Sequence, residues 1–459
     1  MAEQRGPSLS TKTTVRYALG SLGTGGFATL PGLVLIYYLT DTLGIAALAA
    51  GAVVTLAKVW DVVIDPVIGG LSDRALQAQG SRRAPMILGV IGLPFAFLAT
   101  FSVPAGLPPL PAVVWVLIAF VLAATCFSLF QVPYIALPAE LTSSYSARTH
   151  LLTWRVVVLT AAILIFGGGG PEIRGLFSSP YLGYFVMALA SALVIFIGTA
   201  AAITIVPKPN PEMNGSLPTG HRGVSRPVNP PLLDHYRNSW KALKGSQPFR
   251  ALLATFVLQG LTTGLMLASA QFVARWILDD EGAVTLLFIC LIGPALLVAP
   301  AWKSVAGRWG KERAFAIASL LFLAANLCSI PLAWAPGYWI VAPIVVAGAA
   351  YAGMQTLPLA MLPDVIAVDA RTRTARAGVL GGVWTAGETA GMALGATVLT
   401  VVLALSGYVE SSAGVTVVQP DSAVLGIALS FSAVPAALMI LSLVTLGRYR
   451  LRKEDVEYA

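Results

Sequence analysis

The chain has 459 residues, of which 57% are hydrophobic and only 11% are charged, and its formal net charge is +8. Because about 25% of the residues of a soluble domain are charged, this composition excludes an ordinary soluble protein. The positive residues are scattered over short loops, which argues against a nucleic-acid-binding surface. Cys126, Cys290 and Cys328 fall in apolar stretches and have no metal-ligand or disulfide spacing.

Apolar runs of about 20 residues recur along the chain and predict membrane-spanning helices. The expected fold class is therefore an all-α polytopic membrane protein with twelve transmembrane helices. The first residues are polar and do not resemble a cleavable signal peptide, so span one is expected to act as its own insertion signal. The predicted limits of the spans are 15–39, 45–70, 84–103, 111–136, 150–169, 182–206, 250–277, 284–301, 313–333, 338–361, 377–406 and 422–446.

A polar stretch rich in Pro, Gly, Ser and Asn separates spans six and seven. It predicts a cytoplasmic linker over 207–249, with a short amphipathic helix near 232–244. The linker would join an N-terminal six-helix bundle over 1–206 to a C-terminal six-helix bundle over 250–446. Residues 447–459 are expected to form a cytoplasmic tail.

The distribution of Lys and Arg predicts the orientation of the chain. If both termini are cytoplasmic, 26 of the 29 basic residues lie in inside segments. The exceptions are Lys58, which lies within the membrane, and Arg174 and Arg275, which lie outside. Membrane proteins concentrate Lys and Arg in their cytoplasmic loops. We therefore expect an integral protein of the plasma (inner) membrane with both termini in the cytoplasm.

Span one contains the stretch GSLGTGGFATLPG, whose glycines and proline make it a poor helix former. Pliable helices of this kind often line the substrate path of transporters. Close packing against neighbouring helices is the other explanation for the glycines.

Span two carries charged residues in the stretch KVWDVVIDPVIGGLSDR, residues 58–74. Lys58, Asp61 and Asp65 are spaced by three and four residues, so they share one helix face. A charge at the bilayer centre costs at least about 2.5–3.5 kcal/mol, so all three are expected to face the bundle interior. Pro66 lacks a backbone N–H and leaves the Val62 carbonyl without its helical partner.

Two interpretations of Asp61, Asp65 and Lys58 stay open. In the first, the three residues bind the coupling ion: carboxylate and carbonyl oxygens suit a hard cation such as sodium, and two close carboxylates could instead hold a proton. No other metal is expected. In the second, the three residues form a structural ion-pair lock between helices.

Three residues at the cytoplasmic ends of spans two and five are interpreted differently. Asp73 and Arg74 end the stretch GGLSDR, and Arg148 lies at the start of span five. We expect them to form a conformational latch between helices and not to bind substrate.

Polar and aromatic residues of spans four, five and eleven are candidates for binding the substrate. Gln131 and Tyr134 lie in SLFQVPYIALPAE of span four, and Trp384 and Glu388 lie in GGVWTAGETAGMALG of span eleven. Glu388 either lines the central cavity or forms a local hydrogen bond with a neighbouring helix. Arg155, which begins span five, is either an interfacial arginine whose head group reaches the interface or a hydrogen-bond donor to the substrate.

The two halves of the chain are weakly similar. GGLSDRALQAQGSRRAPMIL after span two resembles AWKSVAGRWGKERAFAI after span eight. LPAELTSSYSARTHLLTWR after span four resembles LPDVIAVDARTRTARAGVLGGVW after span ten. Two six-span halves related by a repeat predict the major facilitator fold.

Several stretches in both halves resemble the glycoside–pentoside–hexuronide:cation symporter family, which includes the melibiose permease. In chain order they are YYLTDTLGI, KVWDVVIDPVIGGLSDR, VPYIALPAELTSSYSARTHLLTWR, LPDVIAVD and RAGVLGGVWTAGETAG. The elements WDxxxDP and ELTxxYxxRTxLxxWR are the most specific. The resemblance implies the major facilitator fold and import coupled to sodium or protons, with no other cofactor. It aligns the family's cation-binding carboxylates with Asp61 and Asp65.

The chain departs from the family pattern at the sugar-binding positions. Thr24 and Gly25 stand where span one of the melibiose permease has a lysine–aspartate pair. Gln131 replaces the sugar-binding aspartate of span four, whereas the sugar-contacting arginine of span five is retained as Arg155. The lysine of span eleven is replaced by Thr389. The resemblance thus implies a conserved ion site and an altered substrate site that includes Gly25.

The sequence therefore predicts a cation-coupled symporter and not an enzyme, because no nucleophile or metal constellation is found. The expected solute is a glycoside or sugar-like compound. An amphiphilic or lipid-like solute such as a lysophospholipid is the alternative. Sugar hydroxyls are normally bound by carboxylates and amides, and this chain lacks the carboxylates that the resemblance would place at the sugar site. Alternating access would rock residues 1–206 against 250–446. The expected partners are the solute and the lipid bilayer, with no nucleic acid, and the chain is expected to act as a monomer.

Overall fold

The structure is a computed structural model that describes residues 10–142, 145–208, 246–372, 377–413, 415 and 417–451. Most of the predicted linker over 207–249, including the helix near 232–244, lies outside the described residues. Most of the predicted tail over 447–459 also lies outside them.

Helices make up nearly all of the first half of the chain. Span one consists of two helices that meet at Gly20, followed by a π-helical turn at Tyr38–Thr42. The helices of this half are α1 (Thr11–Leu19), α2 (Ser21–Tyr37), α3 (Ala47–Gln79), α4 (Arg83–Thr100), α5 (Pro109–Leu141), α6 (Tyr145–Gly175) and α7 (Pro180–Ile203).

The described residues of the second half of the chain are also mainly helical. Two short 3-10 turns, Ile330–Ala333 and Tyr338–Ile340, precede its fourth helix. Span twelve is interrupted at Ser432, whose φ of −130° and ψ of −75° are not helical. The helices are α8 (Gln247–Trp276), α9 (Ala283–Trp309), α10 (Lys311–Cys328), α11 (Val341–Thr372), α12 (Ala377–Leu405), α13 (Asp421–Phe431) and α14 (Ala433–Leu446).

All twelve predicted spans are confirmed, because the described residues contain twelve helical segments long and apolar enough to cross a membrane. Several helices extend beyond the predicted limits. The span predicted over 45–70 continues as helix to Gln79, and the span predicted over 338–361 continues to Thr372. Hydropathy detects the part of a helix that can lie in lipid, whereas the helix itself continues into polar sequence.

Large apolar side chains on the outer surface indicate contact with lipid. Phe95, Leu110 and Leu297 are 71%, 75% and 83% exposed. A soluble protein rarely exposes apolar side chains on this scale, whereas the hydrocarbon core of a bilayer covers them favourably.

The chain divides into two compact units. The first unit is Met1–Arg222 together with Glu410–Thr416, and the second is Gly223–Val409 together with Val417–Ala459. In the first unit, α3 and α4 pack on α5, and α2 packs on α6 and α7. In the second, α8 packs most extensively on α12 and α14, and α11 packs on α9 and α10.

A short segment that follows α12 belongs to the first unit. The backbone N–H groups of Ser411 and Ala413 donate to the carbonyl oxygens of Thr40 and Thr42 at 3.1 and 3.0 Å. The Glu410 carboxylate accepts a hydrogen bond of 3.0 Å from the backbone N–H of Ala47, the first residue of α3. The segment therefore pairs with the end of span one and satisfies a free donor at the start of the helix that carries Asp61 and Asp65.

Candidate functional site

One face of α3 carries both predicted ion-binding carboxylates. Ala57, Asp61, Ile68 and Ser72 are buried on α3, and Asp65 lies on the same face between Asp61 and Ile68. The helix packs along α5. Asp61 is 8% exposed, whereas Asp65 is exposed despite its position on this face. The carboxylate of Asp65 is therefore accessible, whereas that of Asp61 is enclosed by its neighbours.

The contacts of Lys58, Asp61 and Asp65 join three helices. Lys58 Nζ lies 3.0 Å from Asp61 Oδ2 and 5.7 Å from the centre of the Phe27 ring on α2. Ser128 of α5 forms a side-chain hydrogen bond with Asp65. Helix α3 continues through Pro66 without interruption. The expected grouping of the lysine and the two carboxylates is thus present within the first unit, between α2, α3 and α5.

The second carboxylate oxygen of Asp61, Oδ1, is available to bind an ion. Asp61 Oδ1 is buried and has no hydrogen-bond partner. A buried carboxylate oxygen without a partner is costly, so a cation, proton or water there would stabilise the site. The carboxylate of Asp65 lies one turn further along α3, and Pro66, which has no backbone N–H, cannot donate to the Val62 carbonyl. Among the described residues, no group of three or more His, Cys, Asp or Glu is arranged to hold a metal. Carboxylate oxygens are ligands that suit sodium, and a carboxylate can also bind a proton, so the residues present fit either ion.

Two residues at positions where the chain departs from the family pattern, Thr24 and Gln131, contact each other. The Thr24 hydroxyl of α2 donates a hydrogen bond of 2.7 Å to Gln131 Oε1 of α5. Gly25, in contrast, is buried against α6, and a Cβ atom there would lie 2.6 Å from Ala162 Cβ. Close helix packing is therefore the reason for glycine at position 25, and its expected contact with substrate has no open surface to support it.

Arg155 lies against Tyr134 within the first unit. Its guanidinium carbon is 5.6 Å from the centre of the Tyr134 ring, the two side chains are hydrogen-bonded, and Arg155 Nε is buried without a partner. Tyr134 is fully buried, and its hydroxyl donates to the Tyr17 carbonyl at 2.7 Å and lies 3.1 Å from Ser21 Oγ. Tyr134 therefore positions Arg155 and is not itself accessible to a solute.

An ion pair at the end of α3 joins Arg82 to Asp73, one of the three residues expected in the latch. Asp73 Oδ1 lies 2.6 Å from Arg82 Nη2. Arg82 also binds Glu140 at the end of α5, with 2.5 Å between Nε and Oε1, and donates to Ser72 at 2.8 Å. Burial by itself would lower the pKa of Arg82, but its hydrogen bonds to Glu140 and Asp73 raise that pKa above its ordinary value.

The local sequence explains how Arg82 reaches Asp73. Gly80 ends α3 with a φ of +65°, a left-handed conformation that reverses the chain and turns Arg82 back towards α3. The second unit has a comparable ion pair between the start of α10 and α11, with 2.6 Å between Lys311 Nζ and Asp364 Oδ2. The repeat between the halves is the signal that could have identified both pairs. The side chain of Arg148, expected in the latch, lies outside the described residues.

The candidates in span eleven belong to the second unit. Trp384 is 3% exposed and stacks on Phe256 of α8, with ring centres 4.5 Å apart, and its indole nitrogen has no partner. Glu388 is half-buried one helical turn later. Tyr351 of α11 lies close enough to interact electrostatically with Glu388, and it is hydrogen-bonded to Gln355. These residues form a polar and aromatic cluster between α8, α11 and α12.

Comparison with known proteins identifies the family. Residues 16–453 match the family described as "MFS/sugar transport protein". The "Glucuronide carrier protein homolog" of Escherichia coli (strain K12) is 25% identical over 96% of this chain and 93% of that protein. "Sodium-dependent lysophosphatidylcholine symporter 1" of Mus musculus is 22% identical over 73% of this chain and 66% of that protein.

Solved structures give the same fold. The "Crystal structure of D-xylose-proton symporter" matches with a TM-score of 0.71 and 13% identity, and the match covers 97% of this chain and 98% of that one. At this identity the likeness shows the fold alone, and it confirms the predicted major facilitator architecture. Because the family match extends over almost the whole sequence, the chain belongs to the MFS/sugar transport family, in agreement with its resemblance to the glycoside–pentoside–hexuronide:cation symporters.

Proposed function

We propose that the chain is a cation-coupled symporter that moves a glycoside or sugar-like solute by alternating access. The observation that carries this proposal is the buried, unpartnered Oδ1 of Asp61 beside the exposed carboxylate of Asp65. Intramembrane carboxylates are expensive and mark ion or substrate pathways. Membership of a sugar transport family and similarity to a glucuronide carrier homolog support the same function.

The coupling ion is sodium or a proton, and it binds at Asp61 and Asp65. Lys58 already neutralises part of the charge of Asp61 through Oδ2, and the ion supplies the missing positive charge near Oδ1 and Asp65. The ion then favours the conformation in which the carboxylates are best enclosed. A ligand shifts a conformational equilibrium only through a difference in its affinity for the two states. Coupling between the ion and the solute follows from that difference.

The first unit offers neutral and cationic hydrogen-bond donors to the solute. Gln131 Oε1 accepts the Thr24 hydrogen bond, so the amide NH2 of Gln131 remains able to donate to a solute oxygen. Arg155, held against Tyr134, adds a charged donor with an unpartnered Nε. Hydrogen bonds to charged groups are worth about 1.5–3 kcal/mol, so Arg155 should contribute more to the binding of solute oxygens than the neutral Gln131.

An amphiphilic solute is the second candidate. The Thr24–Gln131 pair carries no charge at positions where the melibiose permease has a lysine and an aspartate, and this favours a less polar solute. The similarity to a sodium-dependent lysophosphatidylcholine symporter points the same way.

Transport into proteoliposomes tests the proposal. A panel of neutral glycosides, glycosides bearing a charged group, and lysophosphatidylcholine is offered with an inward sodium gradient, an inward proton gradient or neither. We expect one of the two gradients to raise the accumulation of at least one glycoside severalfold above its equilibrium level, and an ionophore to abolish the effect. Gradient-driven uptake of the lysophospholipid alone would favour the second candidate. If neither gradient drives uptake of any compound, the proposed function is wrong.

A further inference from the structure

We propose that Glu388 is the acceptor for a protonated amine of the solute, so that the transported compound is a hydroxylated amine such as an amino sugar glycoside. This inference rests on the proposed function, since it names the chemical class of the solute. The residues that carry it are Glu388 and Trp384 of α12, Tyr351 of α11 and Phe256 of α8.

The first observation is that Glu388 lacks an ion pair of the kind that two other acids of the described spans form. Asp61 is paired with Lys58, and Asp364 at the end of its span is paired with Lys311. Glu388 is half-buried and forms no ion pair with any described residue. Acids within membrane spans are normally paired or face a water-filled cavity. The positive charge that Glu388 lacks can be supplied by a ligand.

The second observation is an unpartnered donor one helical turn away. The indole N–H of Trp384 has no acceptor, although the side chain is 97% buried (3% exposed). Residues four apart on a helix lie on the same side, with Cβ atoms about 5–6 Å apart. The site thus has an acceptor at Glu388 and a donor at Trp384. A compound with an amine next to a hydroxyl or ring oxygen matches both.

The surroundings favour a cation over a neutral or anionic group. Trp384 and Phe256 are both buried and stack on each other one helical turn from Glu388, so the site is aromatic on that side. Tyr351 contributes a phenol close to Glu388, and its hydrogen bond to Gln355 fixes its position. A carboxylate can only accept hydrogen bonds, so it repels an anionic solute and gains most from an ammonium group.

The test uses the full-length protein in lipid nanodiscs and three matched ligands. They are methyl glucoside, its 2-amino-2-deoxy analogue and methyl glucuronide, and equilibrium dissociation constants are measured at pH 7 with saturating sodium. We expect the amine to bind at least about tenfold more tightly than the neutral glycoside, a factor that corresponds to about 1.4 kcal/mol. In Glu388→Gln the amine should lose its advantage, so that the ratio of the two dissociation constants falls from about ten to about one.

The comparison of the three ligands in the wild-type protein needs no variant, so a misfolded Glu388→Gln protein does not remove the test. Equal or tighter binding of the neutral glycoside or the glucuronide overturns the proposal, and so does a failure of the amine to bind. Gradient-driven uptake of a neutral glycoside without preference for the amine would remove this inference and leave the proposed function intact. If the wild-type protein shows no gradient-driven uptake of any compound in the proteoliposome panel, the proposed function is wrong.

Discussion

Asp61 and Asp65 have different surroundings although they lie one turn apart on the same helix. Asp61 is buried and bound to Lys58 through one oxygen, whereas Asp65 is exposed and hydrogen-bonded by Ser128. The spacing of the charged residues in span two predicted that they share a face. It could not predict the role of Ser128 or the unpartnered oxygen of Asp61, because both depend on how α3 packs against α5.

Asp61→Asn and Asp65→Asn should each abolish accumulation of solute against its gradient. An amide keeps the shape of the carboxylate but removes the negative charge that would hold a cation or exchange a proton. Uptake in proteoliposomes should fall to the equilibrium level, while the amount of inserted, monodisperse protein stays close to wild type.

Glu172→Gln is the matched control, since Glu172 is an exposed acid near the end of α6. It should transport like the wild type. Normal uphill uptake by both aspartate variants would show that the coupling ion binds elsewhere.

Arg155→Ala should weaken solute binding by about tenfold or more, which corresponds to the loss of one charge-assisted hydrogen bond of about 1.5–3 kcal/mol. Arg155→Lys should recover only part of the affinity, because lysine lacks the planar set of donors that stacks over Tyr134. Equilibrium binding of the transported solute measures both variants. An unchanged affinity in Arg155→Ala would mean that Arg155 serves the fold or the membrane interface alone.

At the scale of helices, residues at helix ends and glycines both contribute to the contacts between the helices of a unit. Arg82 joins the ends of α3 and α5, and its side chain is 12% exposed. Hydropathy predicted where the helices lie but not this connection. The reversal at Gly80, which brings Arg82 to Asp73, depends on backbone conformation and not on apolar periodicity.

Arg82→Gln should lower the stability of the first unit by about 1–3 kcal/mol, because Glu140 would lose its charged partner. Asp73 is largely exposed, so its part of the effect is small. The expected result is a lower midpoint of thermal unfolding in detergent. Arg74→Gln, which alters an exposed neighbour in α3, should leave the midpoint unchanged. Equal midpoints for the two variants would contradict this role of Arg82.

Glycines allow α8 and α12 to approach at backbone distance. A Cβ atom at Gly264 would lie 2.3 Å from the Met392 carbonyl oxygen, and one at Gly391 would lie 2.7 Å from the Val257 carbonyl oxygen. The small residues of GETAGMALG are the sequence feature that permits this close approach. Its partner, α8, could not be identified from the sequence, because spacing within one helix does not specify the helix that packs on it.

Gly264→Ala should destabilise the second unit by about 1–3 kcal/mol, since the helices must separate to admit the methyl group. Gly169→Ala is the control, because no atom lies within 4 Å of a Cβ atom at that position of α6. Its thermal midpoint should be equal to or higher than that of the wild type, since alanine favours helix over glycine. A Gly264→Ala protein as stable as the wild type would show that the two helices can separate at no cost.

For the whole molecule, the sequence predicted twelve spans and the major facilitator plan, because lipid contact requires long apolar runs and the two halves repeat. The membership of residues 410–416 in the first unit could not be predicted. It depends on backbone hydrogen bonds between Ser411 or Ala413 and the end of span one, and such bonds leave no pattern of side chains. The cytoplasmic location of the termini stays a prediction from the distribution of Lys and Arg.

The most direct test of the central claim is the mutual effect of ion and solute on each other's affinity. The dissociation constant of the solute is measured with and without saturating coupling cation, and that of the cation with and without saturating solute. In the wild type the two ratios should be equal and lie in the range of about 5–150 that is typical of coupled sites. In Asp61→Asn both ratios should fall to one. A cation that leaves solute affinity unchanged in the wild type, or coupling of undiminished size in Asp61→Asn, would contradict the account.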